Sequence, residues 1–73
     1  MIDLALIIPF YNESKILNSF LVNLNKELQS FEGLVLIVFI DDNSFDNSSE
    51  IVDNFIFNQN ISFVILKHIL NSG

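Results

Sequence analysis

The sequence predicts an α/β fold with the element order β-α-β-α-β, in which the strands form one parallel sheet. Three short apolar runs alternate with two stretches whose apolar residues recur at helical spacing. The runs lack polar alternation, which is typical of parallel strands that are covered on both faces. Parallel strands are connected by right-handed crossovers, so we expect each helix to connect two neighbouring strands.

The first strand is predicted over residues 4–8, a continuous apolar block that Pro9 ends. From Ser14 the period changes to that of a helix, which we expect to stop before Gly33. The second strand is predicted over residues 34–40, because this run is rich in β-branched and aromatic side chains. The apolar stripe of the first helix consists of Ile16, Leu17, Phe20, Leu21, Leu24 and Leu28.

The second helix is predicted to begin at Asp46 or Asn47, since either side chain can accept hydrogen bonds from free backbone N–H groups. Asn47 and Glu50 also have the spacing of a variant capping box. A turn over residues 58–60 leads into the third strand, predicted over residues 62–66. The helix's inward stripe is Ile51, Val52, Phe55 and Ile56, and the phenylalanines expected in or near the core are Phe20, Phe31, Phe39, Phe55, Phe57 and Phe63.

Composition and charge exclude several classes of function. Nine acidic against three basic side chains give a net charge of −6, which argues against binding nucleic acid or docking on an anionic membrane. The chain has no cysteine and a single histidine, His68, so disulfides, thiolate metal sites and histidine clusters are excluded. The longest apolar run is far shorter than the ~20 residues of a membrane span, and no signal peptide is visible. A cytoplasmic location is therefore expected.

The length of 73 residues predicts that the chain is the N-terminal half of a longer domain. Three parallel strands with two crossover helices would cover the sheet only partly and would leave an apolar strand at an exposed edge. No linker, repeat or low-complexity tract divides residues 1–73, which we assign to a single segment.

Polar residues follow the predicted strands at the edge of the sheet where ligands of open parallel sheets bind. Tyr11, Glu13 and Asp42 are expected to meet there. The Asp42 carboxylate could accept hydrogen bonds from a base N–H or a ribose hydroxyl, and Tyr11 could offer an aromatic face to a base. With two glycines in 73 residues, neither glycine-rich nucleotide motif is present. A phosphate near these acids would need a divalent cation.

The segments "LALIIPFYNES", "LVLIVFIDDNSFDNSSEIV" and "ISFVILKHILNSG" resemble the opening of the family 2 glycosyltransferases with the GT-A fold. That family shows a strand, I-P-x-Y-N-E, a helix, a strand, D-D-x-S-x-D, a helix and a strand. All 73 residues fit this pattern in order and spacing, although the end of the third segment is a loose match to the family's N-x-G-x-x-x-A. The resemblance implies the incomplete half of a Rossmann-like sheet that binds the donor nucleotide.

The resemblance also implies an activity and a set of contacts. Family members transfer a sugar from a nucleotide-diphosphate donor to a hydroxyl on a lipid phosphate, a glycan or another acceptor. The form "IPFYNE" is most similar to the polyprenol- and dolichol-phosphate sugar transferases, and a full-length parent of this chain could lie at the cytoplasmic face of a membrane. Asp41 would support its loop and Asp46 would cap a helix. Donor contacts in that group map onto Pro9, Tyr11, Glu13, Ile40 and Asp42.

Two catalytic parts of the family fall beyond residue 73. These are the D-x-D that holds Mg²⁺ or Mn²⁺ against the diphosphate and the general base that deprotonates the acceptor. The resemblance therefore implies that this chain binds a nucleotide sugar without transferring the sugar, and that it holds no metal by itself. The alternative function is a non-catalytic α/β fragment that binds nucleotide weakly or packs against a partner.

Simpler interpretations of the same residues stay open. Pro9 could only end a strand, and Tyr11 could only cover an edge. Paired acids at a strand end also occur in receiver domains and haloacid-dehalogenase phosphatases, but the phosphatases expect D-x-D-x-[TV] after the first strand, where this chain has Pro9 and Phe10. Three further side chains are expected to be solvated surface or loop residues: Glu50, Asp53 and His68.

Overall fold

A computed structural model of the protein describes residues 1–67 and confirms the α/β fold. Three parallel strands form one open sheet in the order β1-β2-β3. Two helices connect them, so the sheet has the topology of a partial Rossmann-like half. The elements are β1 over Leu4–Phe10, α1 over Ser14–Leu28, β2 over Val35–Asp41, α2 over Ser48–Asn54 and β3 over Ile61–Lys67.

Strand β1 is two residues longer than predicted, because Pro9 lies inside it rather than ending it. Proline lacks the N–H that pairs neighbouring strands inside a sheet, so it is confined to edge strands. Within residues 1–67, β1 is an edge strand and has β2 as its partner on one side. Pro9 is the Cα partner of Ile40, and Phe10 is the partner of Asp41. The two strands therefore end at the same level.

The core lies between the sheet and the two helices. Val35, Ile37 and Phe39 of β2 are fully buried, and Leu21 of α1 and Val52 of α2 pack into the same cluster. Phe39 is surrounded by other rings, with ring centroids at 6.1–6.4 Å from those of Phe10, Phe57 and Phe63. The predicted core position of Phe39, Phe55, Phe57 and Phe63 is confirmed.

The expectation that the strands are covered on both faces is wrong. Because two right-handed crossovers lead from β1 to β2 and on to β3, they place both helices on the same side of the sheet, where α1 contacts α2. On the other face Ile7 is 70% exposed, and Val64 and Leu66 of β3 are also exposed. We call this surface the uncovered face; its central strand β2 contributes the partly buried Leu36, Val38 and Ile40.

Four apolar side chains that were expected to point inward are exposed, and Ile16 at the start of the α1 stripe is 60% exposed. Phe20 is 42% exposed and lies beside the edge strand β1, where no further element of residues 1–67 covers the helix. Phe31 is 37% exposed and follows the end of α1. Ile56 is exposed because α2 ends at Asn54, so its helical stripe is not continued.

The remaining expectations concern segments between and after the strands. The turn before β3 is confirmed, since the Ile61 N–H donates to the Asn58 carbonyl at 2.9 Å. Neither helix in the described part of the chain has the length and hydrophobicity of a transmembrane span. His68 and the rest of the segment up to Gly73 lie outside the described residues.

Candidate functional site

The loops that follow β1 and β2 meet at the carboxyl ends of these strands. Their residues, 11–13 and 42–47, are called the rim below. The Asp42 N–H donates a hydrogen bond of 2.9 Å to the Phe10 carbonyl, which extends the pairing of the two strands by one residue. Tyr11 and Asp42 therefore begin neighbouring loops, as the sequence predicted for this edge of the sheet.

A reciprocal pair of hydrogen bonds joins the two loops of the rim. The Asn12 N–H donates to Ser44 Oγ at 2.9 Å, and the Phe45 N–H donates to Asn12 Oδ1 at 2.9 Å. Asn12 has a φ of 46° and Asn43 a φ of 62°, in the left-handed region that asparagine tolerates better than most residues. We call the Asn12–Ser44–Phe45 arrangement the asparagine clasp.

The asparagine clasp is supported from below by Asp41. This carboxylate is buried at the end of β2, and its Oδ1 accepts a hydrogen bond of 2.7 Å from the Ser44 N–H. The structure thus gives Asp41 the loop-supporting contact that the resemblance implied. Its neighbour Asp42 is only half-buried, so the two acids have different surroundings.

A second connection joins the N-termini of the two helices. Asp46 Oδ1 accepts a hydrogen bond of 2.9 Å from the Ser48 N–H of α2, and Oδ2 accepts one of 3.3 Å from the Ser14 N–H of α1. Ser48 is fully buried, and its Oγ accepts a hydrogen bond of 2.9 Å from the Glu13 N–H. One carboxylate and one hydroxyl therefore hold the first turns of both helices together.

Asp46 is the capping residue that the sequence predicted, but the capping box is wrong. Asn47 occupies the position before α2, yet its side chain makes no capping hydrogen bond. Hydrogen bonding to the Ser48 side chain, followed by the backbone N–H groups of Ser48 and Ser14, lowers the pKa of the Asp46 carboxyl below its ordinary value. The charged form of Asp46 is therefore favoured at the helix N-termini.

Tyr11 lies at the rim beside a residue that sequence reasoning did not single out. Tyr11 is 47% exposed, and its ring meets the Phe45 ring edge-to-face, with centroids 6.0 Å apart and an interplanar angle of 87°. Glu13 turns back towards the same loop, and its Oε1 accepts a long hydrogen bond of 3.4 Å from the Tyr11 N–H. Two predicted residues of the first loop thus contact each other.

The five predicted site residues do not line one enclosed cavity. Pro9 and Glu13 border a small pocket of about 130 Å³ together with Phe20, whereas Tyr11, Ile40 and Asp42 are not among its lining residues. Ile40 lies on the uncovered face next to its Cα partner Pro9. A wider groove of about 460 Å³ between the helices contains none of the five. The predicted site is therefore an open edge of the sheet.

The acidic side chains of residues 1–67 are the candidate oxygen ligands for a divalent cation. No three of their carboxylate groups are placed so that they could hold an ion. Asp41 and Asp46 already accept backbone hydrogen bonds. The described residues therefore do not form a site for Mg²⁺ or Mn²⁺ by themselves.

Sequence reasoning missed the residues that connect the two loops. The connections are made by the short polar side chains of Asn12, Ser44 and Ser48. Each accepts a hydrogen bond from the backbone N–H of a residue more than 30 positions away. The sequence feature that could have identified them is the position of asparagine and serine directly after predicted strands, where these residues favour turns and caps. That signal does not say which N–H each oxygen accepts.

Comparisons with known proteins give a consistent result. The sequence model of glycosyl transferase family 2 matches residues 5–73. An uncharacterized protein of Methanocaldococcus jannaschii, MJ1222, is 34% identical over 71 residues, which is 97% of this chain and 25% of that protein. The chain thus spans about a quarter of the length of this curated relative. No solved structure matches the chain.

Proposed function

Because the chain belongs to glycosyl transferase family 2, we propose that it is the segment of a glycosyltransferase that binds the nucleotide of a sugar donor. The observation that supports this most strongly is the meeting of the Tyr11 and Asp42 loops, joined by the Asp42 to Phe10 hydrogen bond at the carboxyl ends of two parallel strands. Ligands of open parallel sheets bind at this edge.

In this proposal each predicted residue has a separate role. The Asp42 carboxylate accepts hydrogen bonds from the base or the ribose, and the Tyr11 ring contacts the base. Glu13 helps to fix the donor from the same loop. Pro9 and Ile40, which are neighbours across β1 and β2, border the site from the uncovered face.

The reaction that the donor would serve is the transfer of its sugar to an acceptor hydroxyl. We propose a nucleotide-diphosphate sugar as the donor and a lipid phosphate or a glycan as the acceptor, with the polyprenol-phosphate sugar transferases as the nearest subgroup. We also propose that the segment lies in the cytoplasm, or at the cytoplasmic face of a membrane. Because the chain covers only 25% of its relative, we propose that residues 1–73 are part of a larger domain and bind the donor without completing the transfer.

A divalent cation would neutralise the diphosphate of the donor, as is general in this family. The carboxylates of residues 1–67 do not supply a ligand set for it. We therefore assign no step of the reaction to a cation held by these residues. Their own contribution is to bind and orient the nucleoside.

The second candidate is a non-catalytic fragment that binds nucleotide weakly or packs against a partner. The uncovered face favours this possibility, because Ile7, Val64 and Leu66 present apolar surface to solvent. The two candidates differ in what they predict for nucleotide affinity and its dependence on Asp42.

The proposed function is tested by calorimetric titration of the 73-residue chain with UDP and GDP in the presence of Mn²⁺. Asp42→Asn should weaken binding by about 1–3 kcal/mol, or roughly 5- to 150-fold, through loss of a charged hydrogen-bond acceptor. Asp53→Asn in α2 is the matched control, since it removes the same charge from an exposed position away from the rim. If both variants bind like the native chain, Asp42 has been assigned the wrong role. If the folded chain binds neither nucleotide, the packing alternative is favoured.

A further inference from the structure

Phe45 is an apolar residue in an unusual place. It is 83% exposed, although it lies in an acidic loop between Asp42 and Asp46 at the rim. Its ring contacts the Tyr11 ring edge-to-face, and this contact leaves most of the Phe45 surface in water. If a ligand covers an apolar ring beside a binding edge, the burial of that apolar surface makes the free energy of binding more favourable.

The backbone of Phe45 is fixed, although its side chain is exposed. The Phe45 N–H donates to Asn12 Oδ1, and the preceding Ser44 is held by the Asp41 carboxylate through its N–H and by the Asn12 N–H through its Oγ. The asparagine clasp therefore fixes the backbone position from which the Phe45 side chain extends. A ligand that contacts this ring would pay little to order the loop.

We propose that Phe45 is a second ring contact for the base of the donor nucleotide and that Asn12 is the residue that positions it. This inference rests on the proposed function. The Tyr11 and Phe45 rings are nearly perpendicular, at 87°, so together they form a corner. A planar base stacks on one ring while its edge meets the other.

The chemistry of the corner fits the base better than the diphosphate. The carboxylates of Asp42 and Asp46 repel an anionic group, because like charges repel at short range. The Phe45 ring carries no charge that would attract one. A nucleobase is uncharged, and its π-face stacks on aromatic side chains whatever the pattern of hydrogen-bond donors and acceptors on the base. Phe45 should therefore contribute affinity for both uracil and guanine, and Asp42 should contribute the discrimination between ligands that can and cannot donate a hydrogen bond.

The first test compares Phe45→Leu with Phe31→Leu, an exposed phenylalanine that follows α1 and lies outside the rim. The affinity of the 73-residue chain is measured for UDP, GDP and ribose 5-phosphate, each with Mn²⁺. Phe45→Leu should lower the affinity for UDP and GDP by about five-fold or more, the size of one base–aromatic stacking contact. Affinity for ribose 5-phosphate, which has no base, should stay unchanged. Phe31→Leu should change none of the three.

The second test asks whether Asn12 acts through Phe45. Asn12→Gly suits the backbone φ of 46° but removes the acceptor for the Phe45 N–H, whereas Asn12→Asp keeps an acceptor oxygen. With uridine and guanosine as uncharged probes, the glycine variant should lose affinity and the aspartate variant should retain it. The Tyr11 ring protons should shift in NMR spectra of the glycine variant, because the neighbouring Phe45 ring moves.

The outcomes separate this inference from the proposed function. If Asp42→Asn weakens UDP binding and Phe45→Leu does not, the inference is wrong and the proposed function stands. An equal loss of ribose 5-phosphate affinity in Phe45→Leu would also overturn it, because the ring would then not act on the base. If the native chain binds neither nucleotide, both proposals fail.

Discussion

The connection between the two helix N-termini depends on the buried hydroxyl of Ser48. Replacing it in Ser48→Ala leaves the Glu13 N–H without its acceptor at 2.9 Å and removes a hydrogen-bond partner of the Asp46 carboxylate. Leaving a buried donor unpaired costs about 1–3 kcal/mol. Because the Glu13 N–H is only partly buried, we expect a loss near the lower end, about 1 kcal/mol. For a domain of this size that lowers the melting temperature by roughly 4–8 °C.

The matched control for this change is Ser49→Ala. Ser49 is the next residue of α2, so both variants make the same substitution in the first turn of one helix, but Ser49 is not fully buried and its hydroxyl is not the acceptor of the Glu13 N–H. Thermal unfolding followed by circular dichroism at 222 nm compares the two variants with the native chain. Ser49→Ala should leave the melting temperature within about 2 °C of the native value. Equal melting temperatures for the two variants would refute the role of Ser48.

Two further predictions concern the single covered face and the charge at the helix N-termini. Ile37→Val should lower the free energy of unfolding by about 0.5–1.5 kcal/mol, because Ile37 is buried, whereas Ile7→Val should change it by less than about 0.5 kcal/mol, because Ile7 is exposed. Both values are measured by urea titration, and equal losses would mean that the uncovered face is covered in solution. The depressed pKa of Asp46 stabilises the folded chain above the ordinary value of 3.8, and this stabilisation is lost as the pH falls through the lower folded value. The stability difference between the native chain and Asp46→Asn should therefore be present at pH 6 and shrink below pH 3.8. Asn47→Ala, which removes an uncharged side chain that makes no capping hydrogen bond, should show no such trend, and a pH-independent difference for Asp46→Asn would contradict the capping role.

The order of elements could be predicted because each depends on a local pattern. The run over residues 34–40 became β2 with a shift of one residue, since an unbroken set of β-branched and aromatic side chains has few alternatives next to Gly33 and Asp41. The helical stripe correctly identified Leu17 and Leu21 as buried. The same periodicity also pointed to Ile16 and Phe20, which are exposed; Phe20 lies beside β1, an edge strand of the described sheet.

The covered and uncovered faces of the sheet could not be told apart from the apolar runs. Ile7 and Ile37 have the same side chain, and both lie within apolar runs of the sequence. In the structure Ile7 faces water and Ile37 faces the core. The difference comes from the path of the two crossovers, which is a property of the whole chain. A prediction based on local composition therefore overestimated burial.

The candidate site was predicted at the level of loops, and its internal connections were not. Because β1 and β2 are parallel neighbours, their order alone implies that the Tyr11 and Asp42 loops follow adjacent strand ends. The asparagine clasp depends on the left-handed backbone of Asn12 and on a hydroxyl 32 residues further along the chain. Short polar side chains have many possible partners in an unfolded chain, so the pairing appears only in the folded structure.

The most direct measurement of the central claim is a two-dimensional ¹H–¹⁵N NMR titration of the labelled 73-residue chain with UDP and with GDP. The largest shifts should fall on the amides of the rim, at Tyr11 and over residues 42–45. The amides around Gly33, at the opposite ends of the strands, should stay in place. Shifts concentrated near Gly33, or the absence of shifts at millimolar nucleotide, would contradict a nucleotide site at the carboxyl ends of β1 and β2.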